Sequence, residues 1–231
     1  MWNNKKKAIT FSYDDGVTQD IRLIEILNRY GLKGTFNLNS GKLGQTGSVS
    51  VDGLPVLHNK VPAEKVKEIY AGHEVAVHTV NHPCLTCLSE EDIVREVEED
   101  RKTLSELCGY PVTGMAYPCG GINNDERVWD VLRRRTPIRF SRTITSSHSF
   151  DLQEDLIHFN PTVYHIEPEL TDIVRRFLES SSDAPQLLYI WGHAYELDTH
   201  WIPWEKFEEV CRMLAHHDDI FYGTNSEVFF S

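Results

Sequence analysis

The sequence predicts a single α/β domain built on a parallel β-sheet of seven or eight strands. Short apolar, β-branched segments alternate with amphipathic helical segments along almost the whole chain, and this alternation is typical of parallel sheets. The length of 231 residues suits one domain with a sizeable core. No internal repeat, low-complexity tract or linker divides the chain, so we expect residues 1–231 to form one unit.

The first part of the chain supplies three of the predicted strands. Lys7–Tyr13 is sufficiently apolar and β-branched to form the first of them. Asp20–Tyr30 carries apolar side chains at helical spacing and is followed by Gly31, a common residue just after a helix. The next predicted elements are strand Thr35–Leu38, a long excursion or lid over Asn39–Asn59, helix Pro62–Ala71 and strand Glu74–Val77.

The second part begins with the longest predicted helix, Glu90–Cys108, which Ser89 is expected to cap. Its acidic clusters are expected to face water and to supply much of the net charge. Residues 144–168 show no clear pattern. The other predicted elements are strand Thr113–Tyr117, helix Asn124–Arg135, strand Ile138–Thr143, helix Leu170–Leu178, buried strand Leu187–Trp191, helix Trp204–Leu214 with Pro203 at its first position, and strand Ile220–Tyr222.

Charge and composition argue against several classes of partner. The chain has 23 basic and 35 acidic side chains, a net charge of −12, which disfavours nucleic acid or an anionic membrane as the main partner. No apolar segment approaches the roughly 18 residues of a spanning helix. The basic run Lys5-Lys6-Lys7 is not followed by an apolar signal-peptide core, so we expect a cytoplasmic protein. The chain has five cysteines, an odd number, which favours reduced thiols over a disulfide framework. Nothing in the sequence indicates a particular oligomeric state.

Polar side chains collect where the predicted strands end. Carboxyl ends of parallel strands meet at one edge of an α/β sheet or barrel, where active sites form. Four independent groups at that edge favour a shared site over isolated turns or surface histidines. In chain order they are Asp14-Asp15-Gly16, His78 with His82, Tyr117-Pro118-Cys119-Gly120, and Trp191-Gly192-His193.

The two histidines indicate a metal site. His78 and His82 are four residues apart, a spacing at which two imidazoles can converge on one ion. A carboxylate from another strand end would complete a set that leaves one position for water, as in catalytic zinc sites. No acidic residue lies between the histidines, so the base must come from elsewhere, and Asp14 is the natural candidate. Beside a bound dication, one carboxylate of an adjacent pair can stay ionised and accept a proton from water.

These motifs, in this order, resemble those of the polysaccharide deacetylases, the NodB-homology domain of carbohydrate esterase family 4, over about residues 7–225. The motifs that carry the resemblance are Ser12-Tyr13-Asp14-Asp15-Gly16, Gly72-His73-Glu74 leading to His78 and His82, Tyr117-Pro118-Cys119-Gly120, and His193. The resemblance implies a distorted (β/α) barrel, often seven-stranded, and metal-dependent removal of acetyl groups from N- or O-acetylated carbohydrate. By position it implies the base Asp14, the general acid His193, and the metal ligands Asp15, His78 and His82.

The cofactor that the resemblance implies is a divalent metal, first Zn²⁺, with Co, Fe, Ni or Mn as alternatives, and the partner is an acetylated sugar or oligosaccharide. Water activated by the metal would attack the acetyl carbonyl, with Asp14 taking the proton and His193 protonating the leaving group. A backbone N–H near Cys119 would help to hold the oxyanion, beside Tyr117 and Pro118.

The third motif departs from the family pattern. The family usually has an arginine where this chain has Ala116, and an aromatic residue where it has Cys119. We expect Arg142, on the next strand, to orient the base in place of the missing arginine; the alternative is a solvent-facing arginine. Aromatic side chains near the acid are candidates for a substrate platform, namely Trp191, Tyr195 and Trp201, together with His165.

Two alternative functions follow from these departures. The same scaffold could hydrolyse a non-carbohydrate amide or a cyclic imide, because an altered third motif points to a changed substrate. It could also be a carbohydrate-binding protein without catalysis, although a chain that keeps every proposed ligand and proton-transfer residue is a poor match to loss of activity.

Overall fold

Ten strands and seven α-helices alternate along the chain. The structure, a computed structural model, describes residues 1–231. Its strands are β1 (Lys7–Asp14), β2 (Gly34–Leu38), β3 (Ser48–Val51), β4 (Leu54–Leu57), β5 (Glu74–Val77), β6 (Gly114–Ala116), β7 (Phe140–Arg142), β8 (Val163–Tyr164), β9 (Gln186–His193) and β10 (Ile220–Tyr222). Its helices are α1 (Asp20–Arg29), α2 (Val66–Ile69), α3 (Glu90–Cys108), α4 (Glu126–Arg135), α5 (Leu170–Glu179), α6 (Trp204–Leu214) and α7 (Asn225–Phe230). None of these helices has the length and apolar character that crossing a membrane requires.

Eight of the strands form one sheet in which every neighbouring pair is parallel. Seven follow one another in the order β7-β6-β5-β2-β1-β9-β8, and β10 pairs with the first half of β1. The sheet curls, because Arg142 at the end of β7 pairs with Phe159, shortly before β8 at the opposite end of the order. These findings confirm the predicted distorted (β/α) barrel with seven or eight parallel strands.

The two faces of the central strand β1 have different environments. Phe11 and Tyr13 belong to a core of 45 buried residues that the surrounding helices cover. Ser12 and Asp14 point to the other side, since side chains alternate along a strand. There they meet Arg142 of β7, four strands away in the sheet order. Such a contact crosses the inside of the barrel, so the barrel interior is polar near its carboxyl end.

Helix α7, which the sequence analysis did not predict, fills the opposite end of the barrel. Thr224 caps it by accepting a hydrogen bond from the Glu227 N–H. The Asn225 side chain donates to the Tyr189 hydroxyl at 2.7 Å and accepts from Thr10 at 2.9 Å. The Asn225 N–H donates to the Thr35 hydroxyl at 2.9 Å. Polar contacts thus fix the start of the helix at this end of the barrel. Hydrophobic periodicity in the sequence does not reveal contacts of this kind.

Several predicted elements differ from the observed ones. The excursion Asn39–Asn59 contains an antiparallel hairpin, β3–β4, which its Gly- and Ser-rich sequence did not indicate. The predicted helix Pro62–Ala71 is a 3-10 turn followed by the four residues of α2. Pro203 is the N-cap of α6 and not its first residue. Strands β5 and β10 and helices α3 and α6 have the predicted bounds.

The sequence predicts that the acidic side chains of α3 face water, but two of them are buried. Asp100 is fully buried, and its carboxylate accepts hydrogen bonds from the backbone N–H groups of Ser40 (2.6 Å) and His78 (3.0 Å). Glu96 is also buried and accepts two hydrogen bonds from Asn81. A carboxylate can replace water at such a site because it satisfies several buried N–H groups at once. These two residues therefore hold the loop that follows β5.

Candidate active site

The strand ends named in the sequence analysis meet at one cavity of about 530 Å³. Asp14 and Asp15 reach it from the end of β1, His78 and His82 from the loop after β5, and His193 from the end of β9. The cavity lies at the carboxyl end of the barrel, which is where α/β barrels place their catalytic side chains.

Asp15, His78 and His82 form a set of three metal-ligating side chains. Their candidate ligand atoms all lie within 4.8 Å of one another. The His78 Nδ1–H donates to the Ala116 carbonyl at 2.9 Å, which leaves the Nε2 lone pair free for an ion. Burial lowers the pKa of His78, and burial together with the neighbouring His78 lowers the pKa of His82 to about 4. Both rings are therefore neutral at pH 7, the form that binds a metal, and the set fits a divalent ion such as Zn²⁺.

Two basic residues that the sequence analysis missed hold Asp15 in place. The His58 Nε2 lies 3.0 Å from one carboxylate oxygen of Asp15, and the Lys60 ammonium lies 3.4 Å from the other. Lys60 also donates to the Asp15 backbone carbonyl at 2.7 Å. Burial alone would raise the pKa of Asp15, but His58 and Lys60 outweigh burial and hold that pKa well below its usual range. Asp15 is therefore an anion, as a metal ligand must be.

Arg142 contacts the carboxylate of Asp14. One guanidinium nitrogen donates to both carboxylate oxygens, at 2.6 Å for the first, and the Asn37 amide donates to the same carboxylate at 2.8 Å. Arg142 is completely buried, so it is not the solvent-facing arginine of the alternative interpretation. Although burial opposes ionisation, Arg142 and His78 lower the pKa of Asp14. Asp14 is therefore an anion whose oxygen lies 4.0 Å from the His78 Nε2, beside the metal set.

Both faces of the Trp191 ring are covered. The Arg142 guanidinium carbon lies 4.4 Å from the ring centroid, and the Tyr164 ring stacks on Trp191 at 4.1 Å. Trp191 lines the cavity but is only 4% exposed, so it offers an edge and not a face to a substrate. Tyr195 lines the cavity too, with its ring next to those of His58 and His193.

Glu196, also missed in the sequence, contacts His193. Its carboxylate accepts a hydrogen bond from the backbone N–H of His193 at 3.0 Å and lies 3.3 Å from the ring Nδ1 of His193. Burial opposes a charged ring, but Glu196 outweighs it and raises the pKa of His193 to about 9. His193 is therefore an imidazolium at neutral pH, and Nε2 is its free donor. The three-residue spacing of His193 and Glu196 after a buried strand was a signal that the sequence analysis could have used.

His165 and Trp201 do not line the cavity, so neither stands where a substrate platform was expected. His165 is buried beneath the site, between the Tyr13 hydroxyl (3.1 Å) and the Glu196 carboxylate (2.7 Å). Trp201 donates at 2.7 Å to Asp52, at the turn of the β3–β4 hairpin. His165 thus supports the partner of His193, and Trp201 holds the hairpin.

The close packing of His165 leads to a prediction about Gly192. A Cβ on Gly192 would lie 2.4 Å from two ring atoms of His165. Gly192→Ala is expected to lower the free energy of unfolding by about 1–3 kcal/mol, because the ring has no room to move. Urea unfolding measures this, with Gly47→Ala as the control, since a Cβ there meets nothing within 4 Å. Equal stability of both variants would contradict the packing.

The loop after β6 presents a backbone N–H to the metal set. The Cys119 N–H points to the His82 Nε2, 3.4 Å away, and the Cys119 thiol donates to the His82 carbonyl at 3.3 Å. Tyr117 lines the cavity with its hydroxyl bonded to the Ile157 carbonyl at 2.7 Å, whereas Pro118 is buried and does not line it.

Four non-glycine residues around the cavity have a left-handed backbone. The φ angles are 84° for Asp15, 68° for Thr79, 61° for His82 and 69° for Cys119. Such conformations cost free energy and persist where the surroundings impose them, which is common at active sites. The hydrogen bonds of the loops therefore hold the backbone in the conformation that brings these side chains together.

The β3–β4 hairpin supplies one wall of the cavity. Val49 of β3 lines it, and His58 and Lys60 follow β4 directly. Besides the bond from Trp201, the Gln19 side-chain amide donates to the Leu57 carbonyl at 2.8 Å. The hairpin thus covers the side of the site that contains Asp15.

Comparison with known proteins finds similar sequences and folds. Residues 2–135 match the model of the polysaccharide deacetylase family. The chain is 30% identical over 122 residues to peptidoglycan-N-acetylglucosamine deacetylase PgdA of Listeria monocytogenes, across 52% of this chain and 22% of PgdA. It is 30% identical over 134 residues to chitin deacetylase 1 of Cryptococcus neoformans, across 58% of this chain and 25% of that protein.

A solved structure shares the fold. The family 4 acetyl xylan esterase from Clostridium thermocellum, in complex with a cobalt ion, superimposes with a TM-score of 0.59 at 15% identity, covering 96% of this chain and 90% of that chain. The chain matches only about a quarter of the length of the two curated deacetylases.

Proposed function

Because this chain belongs to the polysaccharide deacetylase family, we propose that it is a metal-dependent hydrolase that removes acetyl groups from N-acetylated sugars or oligosaccharides. One observation carries the proposal. The metal-ligating set of Asp15, His78 and His82, an ionised Asp14 and a protonated His193 all line one cavity. A base and an acid that share a cavity with a metal set are suited to metal-assisted hydrolysis of an amide.

Asp15, His78 and His82 would hold the metal. Zn²⁺ suits two imidazoles and a carboxylate best, and Co, Fe, Ni or Mn are alternatives. The C. thermocellum relative carries cobalt in its structure. When bound, a divalent ion supplies Lewis-acid polarisation of the acetyl carbonyl and lowers the pKa of water at its open position.

Asp14 is the general base in this proposal. Its carboxylate lies beside the metal set but does not belong to it, with 4.0 Å between its oxygen and the His78 Nε2. Arg142 and Asn37 keep it ionised and fix its direction. As water attacks the acetyl carbon, Asp14 takes the proton that the water loses.

His193 completes the reaction as the general acid. When the carbon–nitrogen bond breaks, the leaving amine takes a proton from the His193 ring, which Glu196 keeps charged. The Cys119 N–H is the nearby backbone donor for the oxygen that becomes negative during attack. The products are acetate and the free amino sugar.

Metal analysis combined with acetate release tests this function. Protein stripped by a chelator and reloaded with Zn²⁺ or Co²⁺ should release acetate from N-acetylglucosamine oligomers, whereas the stripped protein should not. The same protein is assayed in parallel on acetylated xylan, small amides and cyclic imides. This panel distinguishes a carbohydrate deacetylase from a hydrolase of non-carbohydrate amides or cyclic imides. Full activity without metal would contradict the mechanism, and bound metal without turnover of any substrate would favour a binding protein.

A further inference from the structure

Lys42 contributes a cation to the cavity wall. It is the last residue of a short 3-10 turn, Ser40–Lys42, between β2 and the hairpin. Its half-buried side chain lines the cavity together with His82 and Cys119. The ammonium has no hydrogen bond and no carboxylate within 4.0 Å.

Lys42 differs in this respect from the other charged groups of the site. Each of those has a partner of opposite sign: Asp14 with Arg142, Asp15 with Lys60, and His193 with Glu196. The protein has 35 acidic side chains against 23 basic ones, so carboxylates are plentiful elsewhere. An unpaired cation inside a cavity of such a protein is therefore available to a ligand.

The negative net charge of the protein makes this cation important for binding an anionic substrate. At a net charge of −12, the protein repels an anion at distances up to about a Debye length, roughly 10 Å at 0.1 M salt. A neutral sugar would need no positive charge at the wall, whereas an acidic sugar needs one to offset the repulsion. The cavity of about 530 Å³ has room for a substituted sugar ring and not only for an acetyl group.

From this arrangement we propose that Lys42 binds a carboxylate of the substrate, so that the preferred substrate is an acetylated sugar with an acidic substituent near the acetylated carbon. This inference rests on the proposed deacetylase function and narrows its substrate class. Lys42 is then a specificity residue that acts on binding, while Asp14 and His193 carry out the proton transfers.

A matched pair of substrates tests the inference. N-acetylmuramic acid carries a lactyl carboxylate, and its methyl ester has the same groups without the charge. The wild-type protein should deacetylate the acid with a kcat/KM roughly fivefold above that of the ester, through a lower KM, as one partly screened ion pair provides. Lys42→Met should lower kcat/KM on the acid to the value on the ester, and so remove the preference. Lys102→Met, an exposed change on α3 with the same loss of charge, should keep the preference.

Calorimetric titration of the metal-free protein with both sugars gives a second measure that does not depend on turnover. Tighter binding of the acid, lost in Lys42→Met only, supports the inference. Equal binding of acid and ester by the wild type, or an equal loss for both in Lys42→Met, overturns it. Absence of acetate release from both sugars in loaded protein counts against the deacetylase function, and the titration then still decides the role of Lys42.

Discussion

Arg142→Met is expected to lower kcat about 100-fold and the free energy of unfolding by about 3–5 kcal/mol. The reason is that Arg142, fully buried, is the main counter-charge of the buried Asp14 carboxylate. Without it, burial raises the pKa of Asp14, so the carboxyl group takes up a proton and ceases to be a base. The acidic limb of the pH–rate profile should move to higher pH, which a purely structural role would not cause. Steady-state rates from pH 4 to 9 and urea unfolding measure the two effects.

A double variant separates stability from catalysis. Asp14→Asn combined with Arg142→Met removes both buried charges, so it should recover most of the lost stability and none of the activity. Metal content is measured in each variant, since Asp15, His78 and His82 are unchanged. If Arg142→Met retains wild-type kcat at full metal occupancy, Arg142 does not orient the base.

Glu196→Gln is expected to shift the pKa of His193 from about 9 towards the usual 6.5. The glutamine can still accept hydrogen bonds but no longer carries the charge that stabilises the imidazolium. At pH 8.5 most His193 rings are protonated in the wild type, and only about one in a hundred would be in the variant. The rate at that pH should therefore fall more than tenfold, while the rate near pH 6 changes much less.

The same ion pair makes stability depend on pH, and the sign follows from the direction of the shift. The folded-state pKa of His193 lies above its ordinary value, so its contribution is fully present below about pH 6.5 and disappears as the pH rises through about 9. NMR titration of the His193 ring in metal-free protein measures its pKa directly. Glu179→Gln, at the exposed end of α5, is the control. An unchanged His193 pKa in Glu196→Gln would mean that another group keeps the ring charged.

The sequence was sufficient to predict the fold and to bring the main site residues together. Hydrophobic alternation located the strands, and the ends of parallel strands necessarily share an edge, so Asp14, His78 and His193 were expected close together before any contact was known. Arg142 could be expected there too, because it ends the strand after the altered third motif. Its role, like those of the others, stays a prediction until the variants are measured.

The remaining parts of the site depend on contacts that no local pattern shows. His58 and Lys60 reach Asp15 only because the excursion folds into a hairpin, and that folding depends on pairing over a Gly-rich stretch. The sequence around Asp100 predicts a solvated acidic cluster, because helical periodicity does not distinguish a carboxylate facing water from one facing buried N–H groups. Such contacts are properties of the assembled barrel.

The position of β1 has a consequence for how the protein is made. The first of the sheet's strands in chain order lies at the centre of the sheet, and two of its three neighbours, β9 and β10, are the last two strands in chain order. Asp14 also gains its ion-pair partner only when Arg142, 128 residues later in the chain, has been synthesised. Sheets with such distant pairings form slowly, since chain entropy is lost before the contacts are gained. During synthesis β1 therefore lacks two of its neighbours until β9 and β10 have been made, and this uncovered apolar strand is available to chaperones until then.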